Sequence, residues 1–210
     1  MKGLWDSQGF IIVITAPSGT GKTTVIRKLI ERDSSLRYSV SATTRPGRKE
    51  EVQGADYFFI SEQEFDEKLE KGLFAEWAQV HGYRYGTLKT QIEEILAQGG
   101  ILIMDVDVQG ARHLRGIYPD GIFIYLMPPS MKELKARLRL RGTEDEASFE
   151  QRLNDAKVEI GSLASFDYLV VNDELESTLD EIAGVIRSEK LRVKRISNPA
   201  QKIKDYLEGT

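Results

Sequence analysis

The sequence predicts an α/β architecture, a parallel sheet flanked by helices. Short apolar runs alternate with amphipathic stretches along most of the chain, the pattern of strands joined by crossover helices. The runs are rich in Ile, Val and aromatic residues and too short for helices. They are apolar on both faces, as strands covered on two sides must be. The first run also passes through a glycine-rich turn straight into a helical stretch.

Phe10–Thr15 is the first expected strand; 101–106, 122–127 and 168–171 are the others. A helix over 23–32 follows the first. The helix over 61–71 opens with Ser61 and Glu64 at capping-box spacing and sets Phe65 and Leu69 four apart on one face. The helix over 88–98 stops at Gly99 and Gly100. Helices over 130–141, 148–160 (with Ser148 and Gln151 as a second capping box) and 175–191 complete the pattern. Two segments break the rhythm. Residues 36–87, rich in Tyr, Thr, Gly and charge, read as a mixed lobe inserted between core segments 9–35 and 88–190. Residues from about 137 to 150, arginine-dense and then acidic, read as a mobile flap or lid. The basic tail 190–210 reads as a solvated, partly frayed end.

The chain's 210 residues suit one domain with inserted lobes. Lys and Arg number 29 against 33 Asp and Glu, a net charge of −4, so no nucleic-acid partner is expected, while a local basic cleft stays open. The absence of cysteine excludes disulfides, zinc–thiolate sites and thiol nucleophiles and fits a reducing compartment. No run reaches the ~20 apolar residues of a membrane helix, and Asp6 and Gln8 interrupt the N-terminus where a signal peptide needs its apolar stretch. A cytoplasmic protein without a membrane partner is expected. His81 and His113 have neither a serine nucleophile nor a metal-ligand partner nearby in sequence.

The most informative segment is Ala16, Pro17, Ser18, Gly19, Thr20, Gly21, Lys22, Thr23, a P-loop with Ala16 where the pattern has its first glycine. Glycines let consecutive N–H groups curl around an anion, and the following helix aims its positive end there. Lys22 supplies a mobile charge to the β- and γ-phosphates, and the Thr23 hydroxyl is suited to Mg²⁺. Ala16 fits if its φ is negative. The segment reads as an ATP-type triphosphate site. Asp105 ends an apolar strand, where an acid has little structural reason to sit; in P-loop enzymes such an acid holds Mg²⁺ directly or through water.

A second anion site is suggested by Arg45 and Arg48, three apart around Pro46 and Gly47, which a turn can converge on one phosphate. Tyr57 and Tyr85 could add hydroxyl donors. Taken alone, the segment reads equally well as an exposed basic turn.

Thr43-Thr44-Arg45, Arg48, Glu51, Gly54 and Tyr57-Phe58-Phe59 resemble the signature of guanylate kinases. The resemblance continues through Glu76-Trp77, 83–87, 105–110, Arg141-Gly142-Thr143 and Val171-Asn172-Asp173, in the family's order, over about residues 9–188. It implies a P-loop nucleoside-monophosphate-kinase-like fold with 36–87 as the GMP-binding lobe. Arg45, Arg48, Tyr57 and Tyr85 would then hold the GMP phosphate, with Glu51 in the same substrate set. Ser41 and Thr87 would donate to guanine O6, and Glu76 and Asp107 would accept from N1–H and the 2-amino group. Carboxylates only accept, whereas adenine offers a bare N1 and no 2-amino group, so AMP would be rejected.

Arg137 and Arg141, four apart on one helical face, would repel unless an anion joins them. By resemblance they and Arg152 are lid arginines over the ATP phosphates, and Asn172 contacts adenine. Arg139 points elsewhere and reads as solvated. The implied reaction is ATP + GMP ⇌ ADP + GDP, with dGMP a further acceptor. It needs no general base, only Mg²⁺ and the catalytic set Lys22, Arg45, Arg137, Arg141 and Arg152 to offset phosphate repulsion. Two other readings are a scaffold module of the same fold that binds phosphorylated peptides and a sugar-phosphate kinase. The intact P-loop argues against the first, the set Ser41, Glu76, Thr87 and Asp107 against the second. No sequence feature sets an oligomeric state.

Overall fold

A computed structural model describes residues 7–80, 82–140 and 146–208. Strand β1 (Phe10–Thr15) leads into helix α1 (Lys22–Arg32) and β2 (Leu36–Tyr38). Then come β3 (Ala42–Thr43), β4 (Phe58–Phe59), α2 (Glu62–Glu70), β5 (Phe74–Val80) and β6 (Tyr83–Leu88). They are followed by α3 (Lys89–Ala97), β7 (Ile101–Asp105), α4 (Val108–Ile117) and β8 (Ile122–Met127). Helices α5 (Met131–Leu140) and α6 (Glu146–Ile160), β9 (Tyr168–Val171), α7 (Leu175–Lys190) and α8 (Pro199–Glu208) complete the chain.

Five strands form the predicted parallel sheet, in the order β2-β7-β1-β8-β9. Alternate residues of β1 feed two cores. Ile12 and Ile14 pack with Val25, Leu29, Leu179 and Ile182 of α1 and α7, and Ile11 and Val13 with Ile92 and Leu114 of α3 and α4. The chain crosses from β1 to β2 on one side and from β7 past β1 to β8 on the other, so a crevice opens at the carboxyl end of β1, where such sheets place ligands. A second, four-stranded sheet, β4-β3-β6-β5, closes over Ala42, Phe65 and Phe74, with the two rings stacked at 4.4 Å.

Local signals read from sequence take physical form. Ser61 accepts from the Glu64 N–H at 3.1 Å and starts α2, while the Glu64 carboxylate turns to Lys68. The Gly99 N–H reaches the Leu96 carbonyl and the Gly100 N–H the Ile95 carbonyl, both at 2.9 Å, a Schellman closure of α3. Leu134, Leu138, Phe149, Leu153 and Ala156 give α5 and α6 a shared apolar seam.

Four expectations change. The main sheet gains β2, whose residues pair with Ile101, Leu102 and Ile103, so 36–38 belong to the large sheet and not to the inserted lobe. Strand β9 is an edge with one open face, Leu169 and Val171 being exposed. Helix α6 begins at Glu146, which places Ser148 inside it. The tail is docked through Arg195, while α8 beyond it stays largely exposed, as expected. Arg195 and Glu189 are both buried and paired at 2.9 Å, Arg195 lies over the Phe10 ring, and its carbonyl accepts from the Gln8 N–H. Tyr168 adds a hydroxyl to Glu189 at 2.8 Å.

Candidate active site

The P-loop runs from the end of β1 into α1. Gly19 and Gly21 take φ of +88° and +97°, a region that side chains avoid. Ala16 lies outside that region, since among the described residues the positive φ values fall on glycines and Asn198. No side chain caps α1, so its first N–H groups face the crevice. Pro17 and Thr20 are buried, and the loop closes through the Thr20 N–H on the Pro17 carbonyl at 3.1 Å. Lys22 Nζ is in ion-pair contact with Asp105 and 3.4 Å from the Val106 carbonyl. The Thr23 side chain is exposed at the mouth of α1.

Three side chains brace this loop from outside. Asn172, buried just past β9, donates Nδ2–H to the Thr20 carbonyl at 2.6 Å, and its Oδ1 accepts from Thr178 at 3.1 Å. A Cβ on Gly21 would come within 2.8 Å of that Nδ2. Arg137, on α5, donates to the Thr20 and Asn172 carbonyls at 3.4 and 3.2 Å and pairs with Glu133. Arg152, on α6, donates to Ser18 Oγ at 2.6 Å. Arg141, Gly142 and Thr143 lie outside the described residues, as does His81. Arg139, expected to be solvated, lies 4.8 Å from the Phe149 ring centroid.

The second cluster stands on the small sheet. Arg45 follows β3 and is paired with Glu51 at 2.7 Å, its guanidinium over the Tyr57 and Phe59 rings. Tyr57 and Tyr85 meet edge to face at 5.9 Å. Glu51 accepts from the Arg48 N–H as well, at 2.8 Å, so its carboxylate shapes the arginine turn and does not face an anion itself. The Arg48 residue is exposed. Burial and the neighbouring Tyr85 hold the Tyr57 phenol above its ordinary value, with a smaller contribution from Asp105 across the crevice.

Glu76, on β5, is buried and accepts from Thr87 Oγ1 at 2.7 Å. Burial lifts its carboxyl above the usual range, Thr87 pulls it down, and the charges of Asp107 and Asp105 lift it again. Asp107 caps α4, its Oδ1 accepting from the Gly110 N–H at 2.7 Å. Gly110 separates the two acids. A Cβ there would lie 3.3 Å from Asp107 Oδ1 and 3.4 Å from Glu76 Oε2. A cleft of about 650 Å³ opens along Glu76, Trp77, Asp107 and Gly110. Thr87 has one proton, held by Glu76 here, so it is not free to donate to a carbonyl as the resemblance implied. Ser41, half-buried, immediately precedes β3.

The sequence reading gave no role to Ser39, Gln91 or Gly110, whose contacts in the structure are with other residues of the site. It also missed Glu159 of α6, lifted by burial, whose Oε2 is buried without a partner among the described residues.

The family model for guanylate kinase matches residues 8–189. The chain belongs to the guanylate kinase family. It is 42% identical to a guanylate kinase of Thermotoga maritima over 202 residues, covering 96% of this chain and 98% of the relative. It is 44% identical to one of Clostridium tetani, covering 91% of each. The crystal structure of guanylate kinase from Anaplasma phagocytophilum superposes with a TM-score of 0.79 at 30% identity over 98% of both chains. The guanylate kinase fold thus accounts for both sheets. No helix among the described residues is long and apolar enough to cross a membrane.

Proposed function

We propose that this guanylate kinase family member transfers the γ-phosphoryl group of ATP to GMP, and to dGMP, giving ADP and GDP. What carries the base choice is Glu76, a buried carboxylate with Asp107 across Gly110. Two acceptors side by side suit the N1–H and 2-amino donors of guanine, and AMP would leave them unpaired.

The P-loop cradles the donor phosphates, with Lys22 reaching the transferred group. Arg137 and Arg152 already rest on the loop and, with Arg141, draw the lid (about 137–150) over the triphosphate. Asn172 holds the loop in shape, and its remaining N–H is left for adenine. The inserted lobe, 39–87 once β2 is assigned to the large sheet, carries the acceptor. Arg45 and Arg48, shaped by Glu51, take its phosphate with Tyr57 and Tyr85, Glu76 and Asp107 take the base, and Ser41 donates to O6. Lobe and lid closure excludes water that would otherwise hydrolyse ATP.

The donor set at the crevice fits Mg²⁺, since Thr23 and Asp105 offer hard oxygens and no cluster of three His, Cys, Asp or Glu competes among the described residues. Bound there with ATP, Mg²⁺ would supply charge neutralisation. Lys22 and the arginines then stabilise the charge on the in-line transferring group. No base is required, because the attacking phosphate oxygen is already an anion. The chain's lack of cysteine supports a cytoplasmic setting.

The test is ADP release with GMP, dGMP, AMP and ribose phosphates, with Mg²⁺ present or omitted. GMP and dGMP support turnover only with Mg²⁺. Turnover with AMP or a ribose phosphate matching that with GMP refutes the reading.

A further inference from the structure

Two connections join the large and small sheets: residues 39–41, between β2 and β3, and the junction of β6 with α3. On the first, the Ser39 N–H is held by the Ile103 carbonyl of the large sheet at 3.0 Å, and the Ser41 carbonyl by the Phe58 N–H of the small sheet at 2.9 Å. Any change of angle between the lobes therefore falls on Val40. Its N–H is gripped from the other connection, where Gln91, in the first turn of α3, accepts it on Oε1 at 3.1 Å. A backbone N–H can only donate, so this contact fixes which end of the amide faces Val40.

The same Oε1 accepts from the buried Ser39 hydroxyl at 3.2 Å. Ser39 Oγ also lies 3.5 Å from Thr87 Oγ1, whose own proton goes to Glu76. Serine has one proton, so while Gln91 takes it, Thr87 stays a pure donor to Glu76. Gln91 and Thr87 thus compete for the one Ser39 proton: without Gln91 it turns to Thr87 Oγ1, 3.5 Å away, and draws that hydroxyl off its line to the Glu76 carboxylate. The lobe angle and the aim of that carboxylate share one anchor.

We propose that Gln91 is a positioning residue for the base pocket, anchoring the pivot at Val40 and, through Ser39 and Thr87, holding Glu76 in the orientation that accepts from guanine. This rests on reading Glu76 as the guanine acceptor. Gln91 touches neither nucleotide. Its loss acts on GMP and on the distinction between GMP and IMP, which lacks the 2-amino donor, and leaves the ATP side alone.

The experiment compares steady-state kinetics of Gln91→Leu, Gln91→Glu and Glu76→Gln with the unaltered protein, using GMP and IMP as acceptors and thermal melting to check the fold. Gln91→Leu removes the acceptor at similar volume and raises KM for GMP about tenfold, the scale of one lost hydrogen bond to an ordered group. KM for ATP stays within about twofold and the GMP-to-IMP preference in kcat/KM falls by a similar factor to the KM change. Gln91→Glu keeps an acceptor for Val40 and Ser39 and restores most of both values. An unchanged KM for GMP and unchanged preference in Gln91→Leu overturns the inference, as does an equal rise in both KM values, which marks general loosening. If Glu76→Gln itself leaves GMP kinetics untouched, the reading of the base pocket fails first; if it impairs them while Gln91→Leu does not, only the role of Gln91 fails.

Discussion

Lys22 Nζ lies against the carboxylate of Asp105, the cation of the P-loop cancelling the acid at the end of β7. Each is about one-fifth exposed, and both face the crevice into which the α1 N–H groups open. On the proposed function, an arriving triphosphate would compete with Asp105 for Lys22 and free the acid to face a cation. One contact thus keeps both groups in place before substrate arrives.

Lys22→Met removes the charge that follows the transferred group, so turnover falls about 10²- to 10³-fold, the scale of a lost transition-state contact. GMP binding, built on the other lobe, persists. Trp77, half-exposed beside Glu76, reports it by fluorescence titration. Near-normal turnover in this variant would contradict the role given to Lys22.

Glu76 combines function with a stability cost. Burial first, then the charges of Asp107 and Asp105, lift its carboxyl above the 4.5 of an unperturbed glutamate. A carboxyl that holds its proton more tightly when folded costs stability as pH rises from the unfolded value through the folded one, and costs nothing below both. Glu76→Gln therefore melts higher than the parent at pH 7.5, by about 2–4 °C for each kcal/mol relieved in a chain of this size, and the gain disappears near pH 4.5. In the parent, KM for GMP rises on acidification as the acceptor takes up its proton, which it does at higher pH than an ordinary glutamate; in Glu76→Gln it is high throughout. Melting and KM curves against pH check both halves.

Gly110→Ala separates folding from recognition. The new methyl would sit 3.1 Å from Val106 Cβ and within 3.4 Å of both acids, forcing them to shift by a few tenths of an ångström. Alanine favours helix over glycine by ~1 kcal/mol, so the melting temperature holds or rises. KM for GMP nonetheless climbs about five- to tenfold because small misplacements of ligand groups are costly. Unchanged GMP kinetics would show that the two acids do not act together on the base.

The Glu189–Arg195 pair is a structural counterpart. Burial alone would raise the Glu189 carboxyl, but hydrogen bonds from Arg195 and Tyr168 and the charge of Arg192 hold it below the ordinary range. A depressed carboxyl stabilises above the unfolded value and loses that contribution as pH falls through the folded one. Removing one partner of a buried pair costs about 3 kcal/mol. Glu189→Ala should therefore melt about 6–12 °C lower at pH 7, with the gap narrowing on acidification, while KM values stay put. A melting curve that overlays the parent's would deny the pair any part in stability.

The P-loop was legible because wrapping backbone around an anion restricts residue type at each position, and glycine with positive φ has few substitutes. Four strands of the large sheet were legible because nearly every residue in them is apolar. Leu36–Tyr38 escaped because only Leu36 is buried, so three residues carry no pattern. The tail misled for a different reason. Its basic residues suggest solvent, and nothing local shows that Arg195 has Glu189 waiting beneath it. The Thr87–Glu76 hydrogen bond was not legible, since a residue type tells how many protons a hydroxyl has but not where the nearest carboxylate lies. Gln91 was invisible, because its two donors lie some fifty residues away.

The latch at the base of the sheet sets an order for biosynthesis. Gln8, just before β1, and Arg195, past α7, meet through their backbones, and Arg195 neutralises an acid six positions upstream. A nascent chain exposes Glu189 before its counter-ion emerges from the ribosome. Its nucleotide-facing end can organise from residues made earlier, while the opposite end is sealed only once Arg195 is free to dock.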